Sequence, residues 1–558
     1  MKKTHLLLFI LLQFFSQSIS AQIQYTNPIL AGFYPDPSIC RVGKDYYLVN
    51  SSFSYFPGLP IFHSTDLVNW QQIGHALDRN EQLDLSNAGV TRGLFAPTIR
   101  YFDSVFYIVC TLIDKKGNFI IKSKDPKGPW SNPIWLPEIN GIDPSLFFDD
   151  NGKAFITYNG NPPDNKSLYS GHRTVRINEF DVKKMKVVSK SEILVNGGVD
   201  ISKKPVWIEG PHLFKKNNFY YLICAEGGTG TDHSEVVFRS DSAKGPYLPY
   251  KSNPILTQKG LDKNRENPIT SAGHCDFVET ENGKWYSVFL ACRPYEGDYY
   301  NTGRETFLAP VEWNNNWPTI KTNNGLVDYK YEVPFPEKTN RNSNIYTGNV
   351  VFKDSFKAEM LSFHYALLRN PSKDLYKIDT KKQKLIFPLK PTTVSEKDNP
   401  DFVGFRQSNL KCNASTSLVF SAKTENEKAG LLIFQNEEHF YFFCKSIRDN
   451  KSIVEVYKSS SKDSSKNELI SSAYLKEGNS PLQLKIVADN ANYSFYFSEN
   501  KEKYSLLKTL DAKFLSTKEA GGFVGCMFAM YATSNGITSS NMASFNWFRY
   551  QGNDDLFK

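Results

Sequence analysis

Several features that would settle a function quickly are missing from this chain of 558 residues. It has no CxxC pair and no cysteine–histidine spacing of the zinc-binding kind. Its 8 cysteines, at 40, 110, 224, 275, 292, 412, 444 and 526, are scattered through apolar, strand-like runs. The even count permits disulfides, but a chain this long does not need them, so buried free thiols are expected. No apolar run is long enough for a permanent membrane span; the one conspicuous run, Leu6 to Phe15, falls well short. Charge of neither sign dominates, with 66 Lys and Arg against 58 Asp and Glu. Without a basic stripe or a reading motif, nucleic acid is excluded as the expected partner. Long helical periodicity is absent as well, which leaves an all-β chain.

What is present begins with a leader. Met1-Lys2-Lys3, the apolar run and then Ser16 to Gln22 give a basic start, a short hydrophobic stretch and a small-residue cleavage site. This predicts a signal peptide over residues 1–21 and an exported protein, periplasmic or extracellular. Loss of Lys2 and Lys3 lowers the formal charge from the +8 of the full chain to +6, an ordinary solvated surface. Aromatics are abundant at 14%. They suit β-core packing, and near polar groups they suit stacking platforms for sugar rings.

One short phrase recurs five times in the first three hundred residues. A small or acidic residue, usually followed by Pro, leads through an apolar pair and a turn into an aromatic-rich strand. It starts at Asp36-Pro37-Ser38-Ile39, Ala96-Pro97-Thr98-Ile99, Asp143-Pro144-Ser145-Leu146, Gly210-Pro211-His212-Leu213 and His274-Cys275-Asp276-Phe277. The copies are about 60, 47, 67 and 64 residues apart, a period that predicts a five-bladed β-propeller. A second element, Ser and Asp with a closing aromatic (His63 to Trp70, Lys122 to Trp130, Arg239 to Tyr247), recurs in three of the units and reads as outer-strand packing. The repeat ends near Ile320. The resulting division is 22–330 propeller, 331–345 Pro-bearing linker and 346–558 an antiparallel β-sandwich of short alternating strands.

In a propeller, equivalent positions of successive blades meet at one mouth. Asp36, Asp143 and Glu209 stand at that position or one residue before it, and His274 holds it in the fifth copy. Any one Asp-Pro is an ordinary turn opener. Three carboxylates converging on one funnel are costly unless chemistry uses them. Two carboxyls facing across a pocket, with a third nearby, suit glycoside hydrolysis. Glu209, longer and offset by one residue, fits the proton donor. Asp36, with Pro on both sides, fits a base holding one water. Asp143 would raise the Glu209 pKa and orient it.

The phrases around Asp36, Asp143 and Glu209, with Ser271-Ala272-Gly273-His274 and Leu290 to Pro294 through Gly303-Arg304-Glu305-Thr306, resemble family 43 glycoside hydrolases. The branch of two-domain β-xylosidases and α-L-arabinofuranosidases is the most similar, and the likeness covers nearly the whole mature chain. The resemblance implies a five-bladed propeller followed by a concanavalin-like jelly-roll sandwich, and hydrolysis with inversion. It implies Asp36 as general base, Glu209 as general acid and Asp143 as pKa modulator. It matches Arg304 to a cation gripping the sugar, Phe53 to an aromatic wall of the first subsite, and Phe523 to a sandwich loop leaning over the pocket. His274 matches an axial residue that in many members ligates a structural calcium ion. One departure is Gly93-Leu94-Phe95-Ala96-Pro97-Thr98, where relatives carry Gly-Ile-Trp-Ala-Pro-Asp. The smaller Phe95 and a lost acid at the pocket rim bear on sugar preference.

The expected function is exo-acting release of xylose from the non-reducing end of β-1,4-xylo-oligosaccharides, with arabinofuranose removal from arabinoxylan or arabinan as the near alternative. A retaining fructosidase is a poorer fit, lacking its Trp-x-Asn-Asp-Pro-Asn-Gly signature. A non-catalytic sugar-binding propeller is the alternative from another class; it predicts a missing acid, and all three are present.

Overall fold

Each copy of the phrase opens the innermost strand of its own antiparallel sheet of four or five strands. These strands are Ser38–Val42, Thr98–Phe102, Gly141–Phe148, Glu209–Lys216 and Thr270–Glu279. Each touches the next and the fifth touches the first, which closes a five-bladed propeller. This computed structural model describes residues 23–338, 345–460, 467–476, 481–500 and 503–558. The expected leader and residues 339–344 of the expected linker lie outside them. The start of the described chain ties the ring shut: Asn27 both donates to the Leu308 carbonyl (2.8 Å) and accepts from the Leu308 amide (2.9 Å) in the fifth blade.

The third residue of every phrase does work that its sequence did not announce. Ser38, Thr98, Ser145, His212 and Asp276 are all buried and converge on the axis. Asp276 accepts from the Ser38 hydroxyl (2.7 Å) and the Ile39 amide (3.0 Å), and Arg100 of the second blade grips both its oxygens at 2.8 and 3.1 Å. His212 Nδ1 lies 2.9 Å from the Ser145 hydroxyl and 3.2 Å from Arg100, while Thr98 donates to the Pro144 carbonyl (3.0 Å). All five blades are thus tied into one polar hub. Thr98, expected to mark a lost acid at the pocket rim, sits in this hub instead.

The second unit is a β-sandwich of two eight-stranded antiparallel sheets. Strict alternation makes its strands: Leu482–Asp489 buries every second residue, as a sheet with one face on a core requires. One strand comes from elsewhere. Tyr55–Phe56, in the first blade, pairs with Tyr365–Leu368 and extends a sandwich sheet. Phe33, Phe53, Tyr55 and Val90 of the propeller share one apolar cluster with Leu368, Phe402, Met527 and Tyr531 of the sandwich. Arg293, fully buried, ion-pairs Glu305 (2.6 Å) and Asp554 (3.1 Å), bridging the units again.

Among the described residues no helix is long and apolar enough to cross a membrane. All eight cysteines are buried and free. The recurring outer element is the turn between third and fourth strands, where Ser64, Ser123 and Ser240 each accept an amide two residues on.

Replacing Arg100 with Met leaves the buried Asp276 carboxylate without its cation. This should cost about 3–5 kcal/mol of stability, read as a lowered midpoint in urea unfolding followed by tryptophan fluorescence. A loss below about 1 kcal/mol, the scale of an exposed ion pair, would mean that the hub is incidental.

Candidate active site

Asp36, Asp143 and His274 share a backbone peculiarity. Each stands in the left-handed region (φ 52°, 54° and 54°), and Gly210 holds the corresponding place at φ 56°. The pairing register slips at Ile142/Ser145, at Glu209/His212 and at Gly273/Asp276. These bulges break the strand alternation at the mouth and turn the side chains into the axial cavity. Left-handed backbone is strained for non-glycine residues, and such strain concentrates at functional sites. Gly210 also has a steric reason: a Cβ there would stand 2.8 Å from Nε2 of His274.

All eight residues singled out from the sequence, Asp36, Phe53, Phe95, Asp143, Glu209, His274, Arg304 and Phe523, line one cavity of about 550 Å³ at this mouth. The three carboxylic acids are 5%, 7% and 6% exposed, so their charges are largely removed from water. Their surroundings treat them differently. Burial alone would push Asp36 up, but Arg304 at 3.3 Å, His274 at 3.7 Å and a 2.5 Å hydrogen bond from Ser51 bring it below the usual carboxylate value. Asp143 is raised by burial and by the Asp36 charge, against the pull of His274 and of the Gly210 amide, which donates to it at 3.1 Å. Glu209 is raised well above its ordinary value, first by burial and next by the Asp143 charge; Arg304 and the hydrogen-bonding Trp207 indole oppose this only in part. One acid pushed down and another pushed up in one cavity is the arrangement acid–base chemistry needs.

The aromatic wall is built from both units. Phe53 and Phe523 stack with centroids 6.1 Å apart, and Phe95 meets them edge-on at 5.9 and 5.8 Å. The Phe523 amide donates to Thr91 (2.7 Å), which fixes the sandwich loop against the connection between the first and second blades. Gly93 lets that wall close, because a Cβ there would lie 2.5 Å from the Phe53 carbonyl oxygen.

His274, matched above to an axial residue, has two close neighbours at the cavity floor. Its Nδ1 faces Asp36 and its ring packs on Gly210. Among the described residues no three His, Cys, Asp or Glu side chains are grouped to hold a metal, so no step below runs through one.

Arg92, Arg173, Val206, Trp207 and Thr229 also line the cavity and were not singled out from the sequence. Trp207 carried a signal, standing two residues before Glu209. Arg173 carried none, since it lies outside the repeated phrase.

Comparison with known proteins agrees with this geometry. Residues 25–318 match the model of glycosyl hydrolases family 43, and residues 353–551 match that of the β-xylosidase C-terminal concanavalin A-like domain. A xylosidase/arabinosidase of Butyrivibrio fibrisolvens is 38% identical over 94% of this chain and 98% of its own. A non-reducing-end α-L-arabinofuranosidase of Bacteroides ovatus is 35% identical over 99% of both chains. Among solved structures, a xylan β-1,4-xylosidase of Bacillus halodurans superposes with a TM-score of 0.84 at 28% identity, covering 94% of this chain and 100% of its own.

The divided charges give a pH prediction. In a reaction needing one protonated and one ionised carboxyl, the raised group sets the alkaline limb and the lowered group the acidic limb. Asp143→Asn removes a charge that keeps Glu209 protonated, so the alkaline limb of kcat/KM should move to lower pH. Arg304→Met removes a cation that keeps Asp36 ionised, so the acidic limb should move to higher pH. Limbs that stay in place in both variants would mean that other groups titrate.

Proposed function

The chain belongs to glycosyl hydrolase family 43, and from that premise we propose that it is an exo-acting, inverting glycosidase releasing terminal xylose from β-1,4-xylo-oligosaccharides. The observation that carries this reading is that one cavity holds Asp36 against Arg304 and His274, which push its pKa below the usual carboxylate value, and Glu209, whose burial and Asp143 neighbour push its pKa well above it. Asp36 takes a proton from a water as the water oxygen bonds to the anomeric carbon. Glu209 gives its proton to the glycosidic oxygen as the bond to that carbon breaks. Attack and departure on opposite faces invert the configuration. Asp143 keeps Glu209 protonated, and Arg304, beside Asp36, has donors for sugar hydroxyls. His274 bears on Asp36 and so indirectly on the attacking water. Phe53, Phe95 and Phe523 form an apolar wall for a pentose ring, and the contribution of Phe523 from the sandwich narrows the cavity to a chain end. Export by the leader would place the enzyme where such oligosaccharides are met.

A second reading, release of α-L-arabinofuranose, is favoured by the names of the relatives, which include both activities. Hydrolysis of paired aryl β-xyloside and aryl α-L-arabinofuranoside separates the two, and turnover of neither would overturn both.

The acids should also separate by role. Glu209→Ala should lose far more activity on the disaccharide than on the aryl glycoside, because an activated aryl group leaves with little protonation. Asp36→Ala should lose activity on both alike, since every substrate needs the attacking water. Typical contributions of general acid–base groups put these losses at about 10²–10⁴-fold, read from initial rates. Equal losses on both substrates for Glu209→Ala would remove it from the acid role.

A further inference from the structure

Arg173 stands just ahead of the strand Thr174–Asp181 in the third blade, on the wall of the cavity that also carries Trp207 and Glu209. Its guanidinium is built in with unusual care. Nε and Nη2 both donate to Asn159 Oδ1 (3.1 and 2.9 Å), and Nη1 donates to Asn161 Oδ1 at 2.6 Å. Those bonds use three of the five N–H donors of an arginine, leaving two. The plane lies over the Trp207 ring at 4.7 Å from its centroid. Trp207 is itself held at φ 56°, a rare conformation for so large a side chain. Asn159 completes the clamp by donating to the Ile208 carbonyl at 2.5 Å.

Both anchors of Arg173 are amides, and among the described residues no carboxylate lies within ion-pair distance of it. A carboxylate anchor would have occupied its donors bidentately and added negative charge beside Glu209. Two asparagines instead fix the direction of the fork and leave donors and charge at the cavity face. Such a fork, rigid on an aromatic plate and lacking a carboxylate partner, is arranged for a ligand rich in hydroxyl oxygens.

Which part of the ligand reaches it follows from the acid. Glu209 protonates the oxygen of the departing unit, so that unit lies beside Glu209, whose side chain bonds Trp207, the plate on which Arg173 rests. We propose that Arg173 is a specificity-determining residue of the leaving-group side, with its two spare donors taking hydroxyls of the departing sugar and its charge weighting the enzyme toward glycan leaving groups. This rests on Glu209 being the acid, as proposed above.

The test compares two substrates with the same terminal sugar, using whichever sugar the wild-type enzyme releases: the unsubstituted disaccharide, and the glycosyl fluoride, whose leaving group is too small to reach Arg173. Arg173→Met should lower kcat/KM on the disaccharide by about tenfold to a hundredfold, the scale of hydrogen bonds to a charged group, chiefly through KM. Activity on the fluoride at the optimum pH of each enzyme should stay within about twofold, because no contact to that leaving group is lost. Arg173→Lys, which keeps the charge but not the fork, should show an intermediate loss on the disaccharide. Equal losses on both substrates, or none on either, would overturn the proposal. If Arg173→Met proves unstable, the Arg173→Lys ratio decides in the same way. Wild-type enzyme inactive on every glycosyl fluoride tried would instead count against the glycosidase reading itself.

Discussion

The ion pair of Arg100 with Asp276 is the tie on which the rest of the propeller depends. Propeller blades pack through apolar faces, and apolar packing alone tolerates sliding. Directional bonds to one buried carboxylate do not. Asp276 fixes the first and second blades against the fifth, and Arg100 and Ser145 hold His212 of the fourth. Because the hub residue stands two places after the residue at the mouth, fixing the hub fixes the mouth. The positions of Asp36, Asp143 and Glu209 are thereby set by bonds that never touch a substrate.

At the mouth, electrostatics decides. Three buried carboxylic acids lining one cavity cannot all be ionised at tolerable cost. The chain resolves this by placing Arg304 and His274 against Asp36 and by leaving Glu209 to burial and to its like-charged neighbour. Asymmetry of surroundings, rather than of residue type, assigns the work. Preorganised charge of this kind needs no rearrangement when the reaction occurs.

Much of this was legible in the sequence because a propeller writes its geometry as a period. The five phrases gave the blades, and the acids in three of them gave the funnel. What escaped has physical reasons. The third phrase position varies as Ser, Thr, Ser, His and Asp, so its common task shows only when the blades are closed. Thr98 was read as a rim residue because it shares a motif with Phe95; over the three positions from one to the other the chain passes from mouth to hub. Arg173 belongs to no repeat and draws its meaning from two asparagines and a tryptophan that only the fold brings together. In the sandwich, short strands such as Val351–Asp354 and Lys377–Asp379 are too brief and too polar for alternation to reveal.

The exchange of parts between the two units has an evolutionary reading. Tyr55–Phe56 completes a sandwich sheet only two residues beyond Phe53, and Phe523 returns the contribution by walling the propeller's cavity. A foreign sandwich grafted by recombination would meet an unpaired strand and an open flank of apolar side chains, the conditions under which sheet edges associate wrongly. Separating the two halves would therefore expose a strand edge on one and an apolar flank on the other, and a substitution at Phe53 or Phe523 is felt by both units at once.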